Sequence, residues 1–395
     1  MRFLFIIIFT LRLAALQAQQ PIVPQQDANG KYFFAVGNVT FRVDPNHGAR
    51  IDSYSLGGDE FLYVQKLSGI EDMYGSTAWL SPQNLWGWPP QLEIDKNAYT
   101  GGISGNKLIL TSALATANNN LKFQMRKTFT ADLQDSSVTV NYTIINKSTN
   151  SRSIAAWEIM RVPSGGLSVF PLNGAITGDL KTAFTIENGN AWWDYDSSKV
   201  YQNKAFADGK DGWLANINNK RLIHIKKFTN TDSNFPSNTE MEIEFYVDPS
   251  RRYTEIEKHT DYKLIPVNDS ITLSMKWYLR ALPENIDVTE GNPAILNYID
   301  RIINPVSSGI PGQATLKNYS FYPNPASTSI RFKGLNADEK VDFQLCNILG
   351  ETVFNSKVTS GDLIDIDFLS GGIYIYKLEI DSKIITGKLV VRNQN

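Results

Sequence analysis

The sequence predicts an all-β chain, a large antiparallel sandwich followed by a small one, and three observations carry that prediction. Between about residues 30 and 282, short runs with a two-residue hydrophobic period are separated by Asn, Gly, Asp and Ser, and almost nothing repeats every 3.6 residues. Residues 304–314 (NPVSSGIPGQA) have no period and are rich in Pro, Gly and Ser, as a linker is. Beyond them, short strand-like runs resume to the C-terminus.

The elements follow in order. Met1-Arg2, the apolar run 3–11 (FLFIIIFTL) and small residues up to Ala18 have the outline of a secretory signal peptide, so residues 1–18 are expected to be removed. Arg12 stops that run at about half the ~20 residues that span a membrane. Residues 19–303 form the first expected domain. Within it, 138–145 (VTVNYTII) alternates, 241–247 (MEIEFYV) sets Met241, Ile243, Phe245 and Val247 against Glu242, Glu244 and Tyr246, and 273–281 alternates likewise. Asn118-Asn119-Asn120, Asn188-Gly189-Asn190 and Asp248-Pro249-Ser250 supply turns. One short helix, 293–303, closes the domain. Residues 304–315 are the linker. Residues 316–395 form a small sandwich with strands at 330–332, 341–347, 352–356, 373–380 and 384–391.

Composition excludes several classes. A net charge of -2 with 20% charged residues offers no basic field for nucleic acid, and no later segment is long and apolar enough for a transmembrane anchor. The single cysteine, Cys346, cannot form an intramolecular disulfide and is expected in the core of the small sandwich. Eight Trp and 17 Tyr suit either a large core or a sugar-binding surface.

Three stretches could carry chemistry. Residues 76–90 (STAWLSPQNLWGWPP) hold Trp79, Trp86 and Trp88 among prolines, with Gln83 and Asn84 as amides: a stiff aromatic loop. Sugar rings present an apolar C–H face and a hydroxyl rim, so this mixture suits a saccharide; the other reading is an indole plug at the end of the sandwich. In 251–259 (RRYTEIEKH), alternation puts Tyr253, Glu255, Glu257 and His259 on one face, opposite Glu242 and Glu244 if the runs pair across the Asp248-Pro249-Ser250 turn. Carboxylates beside a histidine fit acid/base work, whereas a solvated acidic strand face is the alternative. In 155–162 (AAWEIMRV), Glu158 and Arg161 sit among apolar residues, either satisfying each other or serving a site; Lys226 is a similar candidate.

Two resemblances refine this. Tyr322-Pro323-Asn324-Pro325-Ala326, Cys346-Asn347-Ile348-Leu349-Gly350-Glu351, Gly371-Gly372-Ile373-Tyr374 and Lys388-Leu389-Val390-Val391 occur in the order and spacing of a type IX secretion C-terminal sorting domain, an Ig-like β-sandwich. That resemblance implies passage through the periplasm, engagement of an outer-membrane translocon of Bacteroidetes-type bacteria, and a secreted or outer-membrane-surface destination. His47-Gly48-Ala49-Arg50-Ile51 with Gly57-Gly58 and Glu60-Phe61-Leu62, and Leu264-Ile265-Pro266 with residues 270–279, resemble the first hairpin and the closing strand of galactose-mutarotase-like proteins. This second resemblance implies a supersandwich of two large sheets whose concave face binds sugar. By register against the family's glutamate, Glu257 is the expected base and Glu255 the next choice. The family's "H.YFN" histidine motif is missing, so mutarotation itself is not implied.

No nucleophile elbow, zinc spacing or phosphate loop is present, and no acidic turn matches a calcium loop, so neither cofactor nor metal is expected. The leading expectation is an exported carbohydrate-active or carbohydrate-binding protein. Glu257 or Glu255 would be its base, Glu158 or His259 its partner, and Trp79, Gln83, Trp86, Trp88, Arg161 and Lys226 its ligand contacts. A non-catalytic glycan-binding or adhesion protein is the rival.

Overall fold

A computed structural model of the chain describes residues 21–70, 72–196, 199–201, 203–305, 320–333, 340–347, 351–359, 361–380 and 383–392. The expected signal peptide, the linker beyond residue 305 and the hairpin-turn Gly350 lie outside them. The chain divides into two compact units, the first ending at Ile303 and the second beginning at Asn304.

The first unit is two antiparallel layers. One runs Tyr32–Val36, Val39–Asp44, Arg50–Leu56, Ser76–Ser81, Arg152–Pro163, Tyr253–His259, Ile243–Val247 and Lys204–Gly209. The other runs Thr100–Ser104, Lys107–Thr111, Lys122–Asp132, Ser137–Asn146, Ser270–Ala281, Leu222–Phe228 and Trp213–Ile217. Gly166–Thr177 belongs to both: Leu167 to Val169 pair with Trp213–Ile217, and Leu172 and Asn173 pair with Lys204–Gly209. Its ladder shifts register between Asn173 and Thr177, where Gly174 has a φ of 77°.

Alternation explains most strands. In Lys122–Asp132, Phe123, Met125, Phe129 and Ala131 point into the core between the layers. Arg152–Pro163 is different. Nine consecutive residues, Ile154 to Val162, are buried, because the second layer covers one face and large side chains such as Trp79, Trp157 and Tyr253 crowd the other. The expected helix forms over Pro293–Ile303, with the Asn292 side chain accepting from the Ala294 N–H at 2.9 Å and Pro293 opening the first turn. Its Ile295, Ile299 and Ile303 pack on Val169, Ile217 and Ile225, covering the outside of the second layer.

Residues 76–90 are not all loop. Ser76–Ser81 is a wholly buried strand, and the irregular segment starts at Pro82 with a short 3-10 turn at Gln83–Leu85. The second unit contains a three-stranded and a four-stranded sheet around Phe321, Phe332, Phe343 and Tyr376. Cys346 is not in that core. Val341, Phe343 and Leu345 take the inward positions, so the next residue turns outward, half-buried beside Thr352.

The inter-layer core holds charge. Glu158 and Lys226 pair at 2.6 Å with both side chains fully buried; Lys226 also donates to the Ile256 carbonyl, and Ser76 Oγ to Glu158. Burial pushes the Glu158 carboxyl up and the Lys226 ammonium down despite their attraction. Lys226→Met should therefore cost about 3–5 kcal/mol in urea unfolding, and Glu158→Leu/Lys226→Met should recover most of it.

Lys127, also fully buried, donates to the Gly48 carbonyl at 2.7 Å and Thr77 Oγ1 at 3.2 Å. Burial first, and then Arg50, pull its pKa from 10.5 down to about 7. An amine with a depressed folded-state pKa stabilises fully above its unfolded value and loses that contribution as pH falls toward the folded one. Wild-type stability relative to Lys127→Met should therefore rise between pH 7 and about pH 9, as read by thermal unfolding of both proteins.

Candidate functional site

Five neighbouring strands of the first layer present their outward face together, and their pairing sets three rungs. Trp79 lies beside Trp157, which lies beside His259. Two residues along, Thr77, Ile159, Glu257, Glu244 and Phe206 are aligned. In the third rung, Arg161, Glu255, Tyr246 and Lys204 are aligned. The face expected to gather Tyr253, Glu255, Glu257 and His259 does so because a strand repeats every two residues. Arg161 joins it and Glu158 does not, because they differ in parity on one strand.

The acids are crowded. Arg161 pairs with Glu255 at 2.8 Å and sits over the Trp79 and Tyr253 rings. Lys204 pairs with Glu244, and His259 Nε2 lies 3.3 Å from Glu244 Oε2. Trp157 Nε1–H donates to Glu257 Oε2, and the Trp157 indole stacks on His259 at 5.0 Å. Burial, with the charges of Glu244 and Glu255, holds the Glu257 carboxyl well above the usual range. Burial also raises Glu255, with Arg161 and Lys204 opposing it. Burial alone would lower Lys204, but Glu244 and Glu257 outweigh it and raise its pKa.

Two adjoining hollows of about 450 Å³ each open over this face and share Gln83, Trp157 and Lys204. Trp79, Trp88, Tyr253 and Glu255 line the first; Asn203, Phe206 and Glu240 line the second. The loop beside them is fastened by Glu240, which accepts from Ser81 Oγ at 2.6 Å and the Gln83 N–H at 3.0 Å. Trp79 meets Trp86, Trp88 and Trp157 edge-on. Their roles differ. Trp86 packs on the core and donates to the Leu80 carbonyl, whereas Trp88 is 59% exposed at the cleft rim. A larger hollow of about 1010 Å³ lies by Asp194 and Glu290, but Glu290 is spent on Thr185 Oγ1 and the Asp194 N–H.

The sequence-derived residues thus separate. Trp79, Gln83, Trp88 and Glu255 line the cleft; Arg161, Glu257 and His259 lie beneath it; Trp86 supports it. Glu158 and Lys226 face the inter-layer core instead. Glu242 also leaves the site: it precedes its strand and binds Lys258 at 3.1 Å and the Gly209 N–H at 2.8 Å. Trp157 and Lys204 were not among the expected site residues, and Tyr246 was placed only on the strand face of Glu244. Trp157 shares parity with Arg161, which is a usable signal; Lys204 has none, since only strand pairing brings it in. Among the described residues, Glu244, Glu257 and His259 form a group able to offer three metal-ligand atoms, all within 4.8 Å of one another. Linear zinc spacing cannot reveal a group assembled across strands.

Comparison with known proteins gives two results. Residues 320–392 match the family described as "Secretion system C-terminal sorting domain". The chain therefore carries a type IX sorting tail and is exported, to be secreted or attached at the cell surface, and no helix among the described residues is long and apolar enough to cross a membrane. Among solved structures, a galactose mutarotase-like protein from Clostridium acetobutylicum is similar at 11% identity, covering 67% of this chain and 99% of that one with a TM-score of 0.42. One from Lactobacillus casei shows 12% identity, 64% and 100% coverage and a TM-score of 0.44. A galactose mutarotase related enzyme from Lactobacillus acidophilus shows 10% identity, 66% and 99% coverage and a TM-score of 0.46. No curated protein matches the sequence.

Arg161 is the buried counter-charge of Glu255. Arg161→Met should destabilise the first unit by about 3–5 kcal/mol in urea unfolding. Arg161→Lys should recover only part, because a point charge lacks the planar fork.

Proposed function

We propose that this chain is an exported protein that binds a saccharide in the cleft over Trp79, Trp88 and Trp157 and acts on it by proton transfer at Glu255. The observation that carries this reading is the juxtaposition of indole walls with a carboxyl at the floor of the same cleft. Indoles cover the apolar face of a sugar ring, while Gln83, Lys204 and Glu255 offer partners to its hydroxyls. Of the carboxyls that line the hollow beside Trp79 and Trp88, Asp248 has both oxygens on Arg252, and Glu240 of the adjoining hollow is spent on Ser81 and the Gln83 N–H, which leaves Glu255 as the proton-exchanging group. The chemistry is acid/base at a sugar ring, as in epimerisation, elimination or hydrolysis, on an oligosaccharide or released sugar at the cell surface.

A non-catalytic glycan-binding reading is favoured by the Arg161–Glu255 ion pair, which occupies one carboxylate oxygen. Calorimetric titration of the whole chain with a sugar panel, followed by product NMR on the same samples, separates the two. Exposed Trp88→Ala should weaken binding about tenfold with the melting temperature unchanged. Glu255→Gln should bind but form no product. Binding without turnover in the wild type, unchanged by Glu255→Gln, establishes the binding module; no binding to any saccharide rejects both.

A further inference from the structure

We propose that Glu244, Glu257 and His259 form a binding site for one divalent cation of the zinc class, beneath the sugar cleft and independent of what the cleft binds. Glu257 and His259 are two residues apart on Tyr253–His259, and Glu244 lies directly across from Glu257 on Ile243–Val247. Sheet pairing thus holds all three side chains on one face before any ion arrives. Their candidate ligand atoms lie within 4.8 Å of one another. The 3.3 Å between His259 Nε2 and Glu244 Oε2 matches the edge of a tetrahedron with metal–ligand bonds of about 2.0–2.1 Å.

The hydrogen bonds around the site leave the right atoms free. Trp157 takes Glu257 Oε2 and Lys204 takes Glu244 Oε1. Glu244 Oε2 and the two ring nitrogens of His259 have no hydrogen-bond partner, and Glu257 Oε1 finds no N–H donor and meets the neighbouring Glu255 carboxyl. All three residues are fully buried. Buried polar atoms left unmatched in this way are uncommon and destabilising, and one cation would satisfy an atom on each residue. Stacking on Trp157 fixes the imidazole plane. The ionic surroundings point the same way: Glu244, Glu255 and Glu257 face Lys204 and Arg161, so the acids outnumber the permanent cations. One imidazole with two carboxylates suits zinc(II) better than calcium, which favours six to eight oxygens.

The test uses the untagged whole chain, stripped with chelator, dialysed against zinc(II), manganese(II) or calcium(II), and analysed for bound metal. One zinc per chain is expected, with a rise in melting temperature that chelator reverses. Glu244→Gln and His259→Asn should each weaken zinc binding by more than about 100-fold, the upper end of what loss of a supporting hydrogen bond does. Should those variants fail to fold, cobalt(II) loaded into the wild type must show d–d absorption, with a nitrogen ligand by X-ray absorption. Absence of stoichiometric binding, preference for calcium, or zinc binding unchanged in a folded His259→Asn protein overturns the proposal. Sugar binding measured on the same stripped protein tests the cleft separately, so either reading can fail alone.

Discussion

Ile154 to Val162, within Arg152–Pro163, are buried on both faces, and each of the two charges they carry has to be neutralised where it stands. A buried ion left without a partner costs several kcal/mol, so the strand recruits counter-charges from whichever element lies opposite. Toward the second layer Glu158 meets Lys226; toward the cleft Arg161 meets Glu255. The first pairing joins the two layers. The second pins the acidic strand under the cleft, and from it follow the crowding of Glu255, Glu257 and Glu244 and the need for Lys204 beside them.

The same arrangement divides labour among the aromatic residues. Trp157 donates to Glu257, stacks on His259 and forms part of the cleft wall, so one side chain couples the buried acids to the surface above them. Trp79 is braced from behind by Asp95, which accepts its indole N–H at 2.9 Å and is itself held by Arg50. Such bracing keeps an indole face at a constant angle, which a ligand platform needs and a loop alone could not supply. Trp86 is structural and Trp88 is free at the rim. The sorting tail has an aromatic core of its own, built on Phe321, Phe332 and Phe343.

Much of this was legible in the linear chain, for identifiable reasons. A strand's two-residue period places Tyr253, Glu255, Glu257 and His259 on one face whatever their neighbours are, so that row could be read directly. The Asp248-Pro249-Ser250 turn likewise implied an antiparallel partner carrying Glu244. The short helix over 293–303 was read from the chain and is the longest among the described residues, and the four C-terminal blocks identified the sorting tail. Alternation was misleading at Glu242, which lies just outside its strand, whereas at Cys346 it gives the outward position that the expectation of a core cysteine overlooked.

What the sequence determined by itself is which side chains share a face within a strand, because that depends on local backbone geometry alone. It could not determine which strands are neighbours, or which face of each is turned toward the second layer. Those are settled by long-range pairing and by the burial of large apolar surfaces, which act across more than a hundred residues of chain. Tertiary structure therefore decided that Glu158 and Lys226 belong to the core, that Lys204 completes the acidic cluster, and that Trp157 rather than Trp86 bounds the cleft.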